Sequence, residues 1–254
     1  MWMWNGMLAA FLGIVVYRVL SWGGVGKQTY ALMDKTQVGS VVTLLTFRPL
    51  DGKPIPHHIP EIGQHFYMQW HRFGEAHPFT VMEYNKETGD MVFGIRTSGK
   101  FTKKIEKIEH GHHTLIDGPY GVFTQEAQND EPKVIIAGGI GVTPFVDLVK
   151  YYGKGTTFLH ANRSMFNILR RDYLIAAFDT YYYFLDGEES EGDEYVIKGR
   201  IDAEQITKIV GNVNVPFRKY FVCGSPFFIK IMKKTLMGMG VPSKNIYYEE
   251  LGFL

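Results

Sequence analysis

Hydrophobic and polar positions divide the chain into three textures. Residues 1–22 carry no charged side chain before Arg18, and Trp2, Trp4 and Trp22 stand at the two ends of the apolar run. That length and that placement of tryptophan predict one membrane-spanning helix with interfacial aromatic anchors. From Thr29 to about Ile116 the pattern shifts to short β-branched and aromatic runs at 41–47, 66–70, 81–84 and 91–96, punctuated by Asp51-Gly52 and Thr88-Gly89-Asp90. Spacing of this kind predicts an antiparallel barrel or sandwich. After Pro132, strand-like runs at 134–137, 157–161, 181–185, 220–223 and 246–248 alternate with helical stretches, one of which opens on the capping pair Asp202 and Gln205 and stops at Gly211. Such alternation predicts a doubly wound parallel sheet with helices on both faces. The expected organisation is a membrane helix over 1–26, an antiparallel β-barrel domain over 27–130 and an α/β domain over 131–254.

One junction in the α/β half carries candidate chemistry. The apolar residues 134–137 have the length of a buried strand, and Gly138, Gly139 and Gly141 follow at once. Glycine leaves no side chain between backbone and ligand. Thr143 followed by Pro144 predicts a helix start, with the hydroxyl capping free N–H groups and proline at the first helical position. The positive end of that helix then faces the turn, as in dinucleotide sites. Pro144 occupies the place of the third fingerprint glycine. Alone, the turn reads either as a phosphate loop or as a strand-to-helix turn that binds nothing. The turn Cys223-Gly224-Ser225-Pro226 falls at a second strand end, where an open parallel sheet also binds ligands.

Composition narrows the chemistry. With 254 residues, 45% of them apolar, the chain can bury two cores, and a net charge of +1 gives no ground for nucleic-acid binding. Cys223 is the only cysteine, which excludes an internal disulfide, an iron–sulfur cluster and a thiolate zinc site. Electron transfer here therefore needs a bound organic cofactor. His110, His112 and His113 lie close together but without a carboxylate pair or cysteine, and they read as a surface turn; no metal site is predicted. Asp117-Gly-Pro-Tyr-Gly121 is a turn by composition, and the acidic run 186–194 is a solvated loop. Arg18, Lys27 and Lys35 follow the apolar run, which predicts a single-pass protein of the cell membrane with its catalytic domains in the cytoplasm. No histidine precedes His57, so the helix has no imidazole to offer a haem.

Taken in order, His77-Pro78-Phe79-Thr80, Arg96 with Gly99-Lys-Phe-Thr102, Asp117 to Gly121, Gly138 to Pro144, Cys223 to Pro226 and Glu249-Glu-Leu-Gly-Phe253 resemble the ferredoxin–NADP reductase superfamily. The likeness is nearest to its ferric reductase and NADPH oxidase branch and runs from about Val41 to Leu254, while Tyr17-Arg18 matches the end of that branch's last membrane helix. The resemblance implies an FAD site in which His77, Pro78, Phe79 and Thr80 line the isoalloxazine, Phe79 against the ring and the Thr80 hydroxyl at its N5 and O4 edge. It implies that Arg96, Gly99 and Thr102 bind the FAD pyrophosphate through a guanidinium fork and free backbone N–H groups. Asp117 to Gly121 is then scaffold that closes the flavin domain.

For the nicotinamide dinucleotide the resemblance implies Gly138, Gly139, Gly141, Thr143 and Pro144, with Cys223, Gly224 and Pro226 beside the nicotinamide. Thr80, Cys223, Glu249 and Phe253 become the catalytic set, the terminal aromatic covering the flavin until nicotinamide displaces it. Leu251 replaces a common phenylalanine of the family, and Ile62 replaces a proline. Arg163, at the adenosine end, matches a 2′-phosphate, and no Asp or Glu occurs between Thr156 and Arg171. NADPH is expected over NADH, with Arg170 or Arg171 able to share the role. The expected function is a membrane-anchored FAD-dependent NAD(P)H oxidoreductase that releases electrons singly to a haem in a membrane partner, a ferric chelate or oxygen. Two alternatives stay open: a soluble flavodoxin or ferredoxin reductase, and a non-catalytic nucleotide-binding subunit.

Overall fold

A computed structural model of the chain describes residues 2–186 and 192–251. Helix α1 (Trp2–Trp22) stands clear of the body: Trp4–Trp22 has a mean hydropathy of 1.4, and none of it is buried inside the molecule. By length and composition it is able to cross a membrane. Its last residue ties it to the rest of the chain. Trp22 Nε1 donates to the Gly74 carbonyl at 3.0 Å, the Trp22 carbonyl accepts from Gln69 Nε2 at 2.9 Å, and the indole meets Phe73 edge-on.

Six strands, β1 (Gln28–Val38), β2 (Val42–Pro49), β3 (His65–Gln69), β4 (Ala76–Tyr84), β5 (Met91–Arg96) and β6 (His113–Tyr120), close an antiparallel barrel in the order β1-β2-β5-β4-β3-β6. Period-2 alternation explains the inside: Tyr30 and Leu32, Leu45 and Phe47, Phe66 and Met68, Phe93 and Ile95 all point into one core. Closure leaves no free strand edge. Asp117 to Tyr120, turn-like by composition, is instead the second half of β6. The reason is local. Gly118 faces the Phe66 ring, which a Cβ would approach to 2.6 Å, and the β3–β6 register shifts between His65 and Tyr67 to pass that point.

Strands β7 (Lys133–Gly138), β8 (Thr156–Asn162), β9 (Thr180–Leu185), β10 (Val196–Lys198), β11 (Lys219–Gly224) and β12 (Ile246–Glu250) form a parallel sheet in the order β10-β9-β8-β7-β11-β12. Ile135 and Ala137 of β7 enter one core and Val134 and Ile136 the other, which is why this strand reads as an unbroken apolar run. The short helices α2 (Lys100–Lys103), α3 (Val149–Tyr152) and α4 (Arg171–Ala177) complete the fold together with α5 (Ala203–Val210) and α6 (Pro226–Gly238). Asp202 caps α5 by accepting from the Gln205 N–H at 2.9 Å, and the helix stops at Gly211.

The helix expected from Thr143 differs. Gly139, at φ +55°, lets the chain wind at once into a 3-10 segment, Gly139–Phe145, so Thr143 and Pro144 lie inside it. Thr143 Oγ1 donates back to the Ile140 carbonyl at 3.1 Å and caps nothing, and the α-helix that follows is only α3. Of the acidic run 186–194, residues 187–191 lie outside the described residues.

The two domains share one core, in which Val42 and Met82 of the barrel pack with Phe145 and Leu169 of the α/β half. Two polar links pin the junction: the Tyr84 N–H donates to Asp147 Oδ2 at 2.8 Å, and Arg170 Nε meets Glu83 Oε1 at 2.6 Å.

Candidate active site

Where barrel meets sheet, a cavity of about 730 Å³ opens. It is walled by His77, Pro78, Phe79 and Thr80 of β4, Arg96 at the end of β5, and Ser98 to Thr102 of the loop and α2. Ile140 and Thr143 from the glycine turn and Glu249 from β12 close the far side. Residues far apart in sequence thus meet because β4 and β5 are neighbours in the barrel and β12 ends against its mouth.

Several predicted site residues take definite places. Thr80 is buried and lines the cavity, while Phe79 stacks on Phe101 at 5.9 Å and 23°. Phe101, 4% exposed, also stacks on Trp70 at 5.0 Å and lies 4.1 Å from the His77 ring. Sequence reasoning gave Phe101 no role, although one aromatic inside the lysine-rich stretch 100–107 is itself a burial signal. Thr102 Oγ1 accepts from the Ser98 and Gly99 N–H groups at 3.0 Å each. Those two amides are occupied, so Thr102 shapes the turn, and the expectation of free N–H groups narrows to the start of α2. Arg96 is exposed, and it and Lys100 both line the cavity, which gives the wall two cations.

The remaining predicted residues gather at the strand ends of the sheet. Strand order reverses between β7 and β11, and Gly138 and Gly224 end these two neighbours. A Cβ on either would come within 3 Å of the Phe228 ring, and a Cβ on Gly141 would collide with the Cys223 carbonyl. Pro226 opens α6 just beyond. Arg163 lies exposed after β8, away from the cavity wall. Phe253 lies outside the described residues.

Cys223 is fully buried, in register with Glu249 on β12 and Ala137 on β7. Burial, and then the neighbouring Glu249 charge, push its thiol well up, so the sulfur is a neutral, compact group. Burial likewise raises the Glu249 carboxyl to about 7. Its Oε2 has no hydrogen-bond partner among the described residues, while Oε1 lies 3.8 Å from His65 Nδ1. Neither His65 nor Phe101 was singled out from sequence.

The wall suits a flavin dinucleotide: an aromatic face, a hydroxyl and two cations line one cavity, in a volume of the order that ligand sites require. Residues 52–143 match the family model of an FAD-binding domain. Over that stretch, 92 of the 254 residues, the chain is similar to an FAD-binding domain. A flavohemoprotein of Rhizobium meliloti (strain 1021) is 24% identical over 91% of this chain, which spans 62% of that protein's length. The flavohemoprotein-like FAD/NAD-binding domain of nitric oxide dioxygenase from Vibrio cholerae superposes with a TM-score of 0.73 at 19% identity, covering 89% of this chain and 98% of that one. A ferredoxin NADP+ reductase of Neisseria gonorrhoeae, solved with FAD and NADP bound, gives 0.72 at 13% identity with the same coverages, 89% and 98%. The barrel and the parallel sheet beside it therefore share their fold with these two structures.

Proposed function

We propose that the chain is an FAD-dependent NAD(P)H oxidoreductase, anchored in a membrane by α1, that passes electrons one at a time to a separate acceptor. One observation carries the reading: a single cavity is walled both by the flavin-domain strand His77 to Thr80 and by Ile140 and Thr143 of the glycine turn. Two ring systems, one from each domain, can therefore meet there. FAD, when bound, supplies the chemistry that accepts a hydride and gives up single electrons.

The chain's own residues position and shield. Phe79, backed by Phe101, offers a flat face for a ring, and the Thr80 hydroxyl offers one hydrogen bond that can be donated or accepted. Arg96 and Lys100 offset the charge of a pyrophosphate. Gly141 lets the backbone of the turn lie directly on the Cys223 carbonyl, and this turn with the end of β11 would hold a nicotinamide ring. Cys223, fully buried with a neutral thiol, packs beneath that point. NADPH is the donor this reading favours, and the acceptor is a haem in a membrane partner, a ferric chelate or oxygen.

The decisive experiment is anaerobic. FAD-reconstituted full-length protein mixed with NADPH should lose its flavin absorbance within the mixing experiment. Protein that binds FAD but keeps that absorbance is a nucleotide-binding subunit and not an oxidoreductase.

A further inference from the structure

A second cleft, of about 570 Å³, lies where α1 joins the barrel and shares no lining residue with the flavin cavity. It is lined by Tyr17, Arg18, Val19, Ser21 and Trp22 of α1 and by Lys27, just before β1. Gln69, fully buried on β3, fixes this corner: its Oε1 accepts from Lys27 Nζ, and its Nε2 donates to the Trp22 carbonyl at 2.9 Å. The Lys27 ammonium is thereby held near the last residue of α1, and with three donors it has bonds to spare. Arg18 precedes Trp22 by four residues, and so lies on the same face of the helix. It is exposed and has no ion pair among the described residues.

Two cations in one cleft favour an anion. The end of a helix opposes this, because its last carbonyls carry partial negative charge. Here those acceptors are taken: the N–H groups of Gly23, Gly24 and Val25 bond the carbonyls of Val19, Ser21 and Leu20, and Gln69 bonds that of Trp22. Asp117, whose charge reaches Lys27, accepts from the Tyr120 hydroxyl at 3.1 Å and forms no ion pair with the lysine. Burial lowers the pKa of Lys27 more than Asp117 raises it, which leaves a partly desolvated charge only partly compensated. Exposed rings set the depth. Trp22 meets Phe73 edge-on at 5.4 Å, and both stay more than half exposed. Tyr17 and Trp22, at the end of an apolar span of 19 residues, belong at the level of lipid headgroups.

We propose that this cleft binds the phosphate of an acidic phospholipid, held by Arg18 and Lys27, in the bilayer leaflet next to the two folded domains. The inference rests on the membrane anchoring of α1 proposed above. Guanidinium and ammonium give charge-assisted bonds to phosphate, and the Tyr17 and Ser21 hydroxyls add neutral partners. A soluble phosphate ester offers the same charged group without acyl chains. The apolar surface of α1 beside the cleft, exposed from Trp4 to Leu20, is covered only by chains, and this selects the lipid.

The test uses full-length, FAD-loaded protein in nanodiscs of phosphatidylcholine with a minority of phosphatidylglycerol. After release into mild detergent, the lipids still bound are counted by native mass spectrometry, and FAD content reports that each variant folds. Phosphatidylglycerol should be retained in preference to phosphatidylcholine. The preference should fall about fivefold in Arg18→Gln, and about fivefold again when Lys27→Gln is added. The double variant Lys230→Gln/Lys234→Gln, which removes the same charge from exposed positions of α6, should keep the parent's preference. The proposal is overturned if the parent shows no preference, if the α6 variant loses as much as the α1 variant, or if an equal concentration of glycerol phosphate displaces the retained lipid, which would mark a site for soluble phosphate esters. Failure of the parent to enter nanodiscs of phosphatidylcholine alone is a separate result, which overturns the membrane anchor and the lipid site with it.

Discussion

His160 Nε2 lies 2.9 Å from the carbonyl oxygen of Gly139, inside the sheet and directly beneath the glycine turn. Because that oxygen only accepts, Nε2 carries the proton, and Nδ1 accepts from the Tyr181 hydroxyl at 3.1 Å. The ring is neutral: burial lowers its pKa to about 4, only partly opposed by the bond to Gly139. A folded-state value below the unfolded 6.5 means that the unfolded chain binds more protons between these two values. Stability is therefore full above pH 6.5 and lost as pH falls toward 4, by about 3 kcal/mol in all. Urea unfolding at pH 7 and pH 5 checks this. His160→Phe should flatten the dependence, cost about 2–4 kcal/mol by leaving the Gly139 carbonyl and Tyr181 hydroxyl unpaired, and weaken NADPH binding. A variant with the parent's pH slope would show that another group titrates.

A second prediction concerns Gly141. A Cβ there meets the Cys223 carbonyl, which belongs to a strand held on both sides by β7 and β12 and cannot yield. Gly141→Ala should destabilise the protein by about 1–3 kcal/mol and abolish bleaching by NADPH while FAD remains bound, as followed by thermal melting and flavin fluorescence. Normal bleaching in the variant would detach this turn from the nicotinamide.

Much of this architecture was legible in the sequence, for reasons that differ from element to element. Strands β7 and β11 were readable because burial on both faces leaves a continuous apolar run followed by glycine. The cavity wall His77 to Thr80 was readable through motif order, whereas Phe101 and His65 were not, because what they do depends on which strands become neighbours. His65 becomes interesting only when β12 brings Glu249 beside β3. The helix start at Thr143 was misplaced because capping rules do not foresee a glycine at φ +55° that starts the winding four residues early. Likewise the turn composition of Asp117 to Tyr120 reflects the tight fit of Gly118 on Phe66 inside a strand.

The third prediction separates NADPH from NADH. Three arginines lie near the end of β8, but Arg170 is paired with Glu83 and Arg171 with Asp193 and Asp172. Arg163 is exposed, with its backbone N–H bonded to Asn162 Oδ1 at 2.8 Å, and among the described residues its guanidinium has no ion pair, so it is the arginine this reading gives to a 2′-phosphate. Arg163→Ala should lower the NADPH-to-NADH ratio of kcat/KM by about tenfold or more, with NADH turnover little changed. An unchanged ratio would remove Arg163 from this role.

The last prediction concerns α1. An apolar helix with mean hydropathy 1.4 over Trp4–Trp22, none of it buried inside the molecule, would expose its apolar surface to water unless lipid covers it. At its last residue Trp22 bonds to Gly74 and Gln69 and packs on Phe73. Full-length protein should pellet with membranes and resist extraction by high salt, yielding only to detergent. Removing residues 1–20 keeps Trp22 in place and should release a soluble protein that still binds FAD and still bleaches with NADPH, because the cavity draws no wall from α1. Recovery of the full-length protein wholly in the soluble fraction would defeat the anchor and favour a soluble reductase.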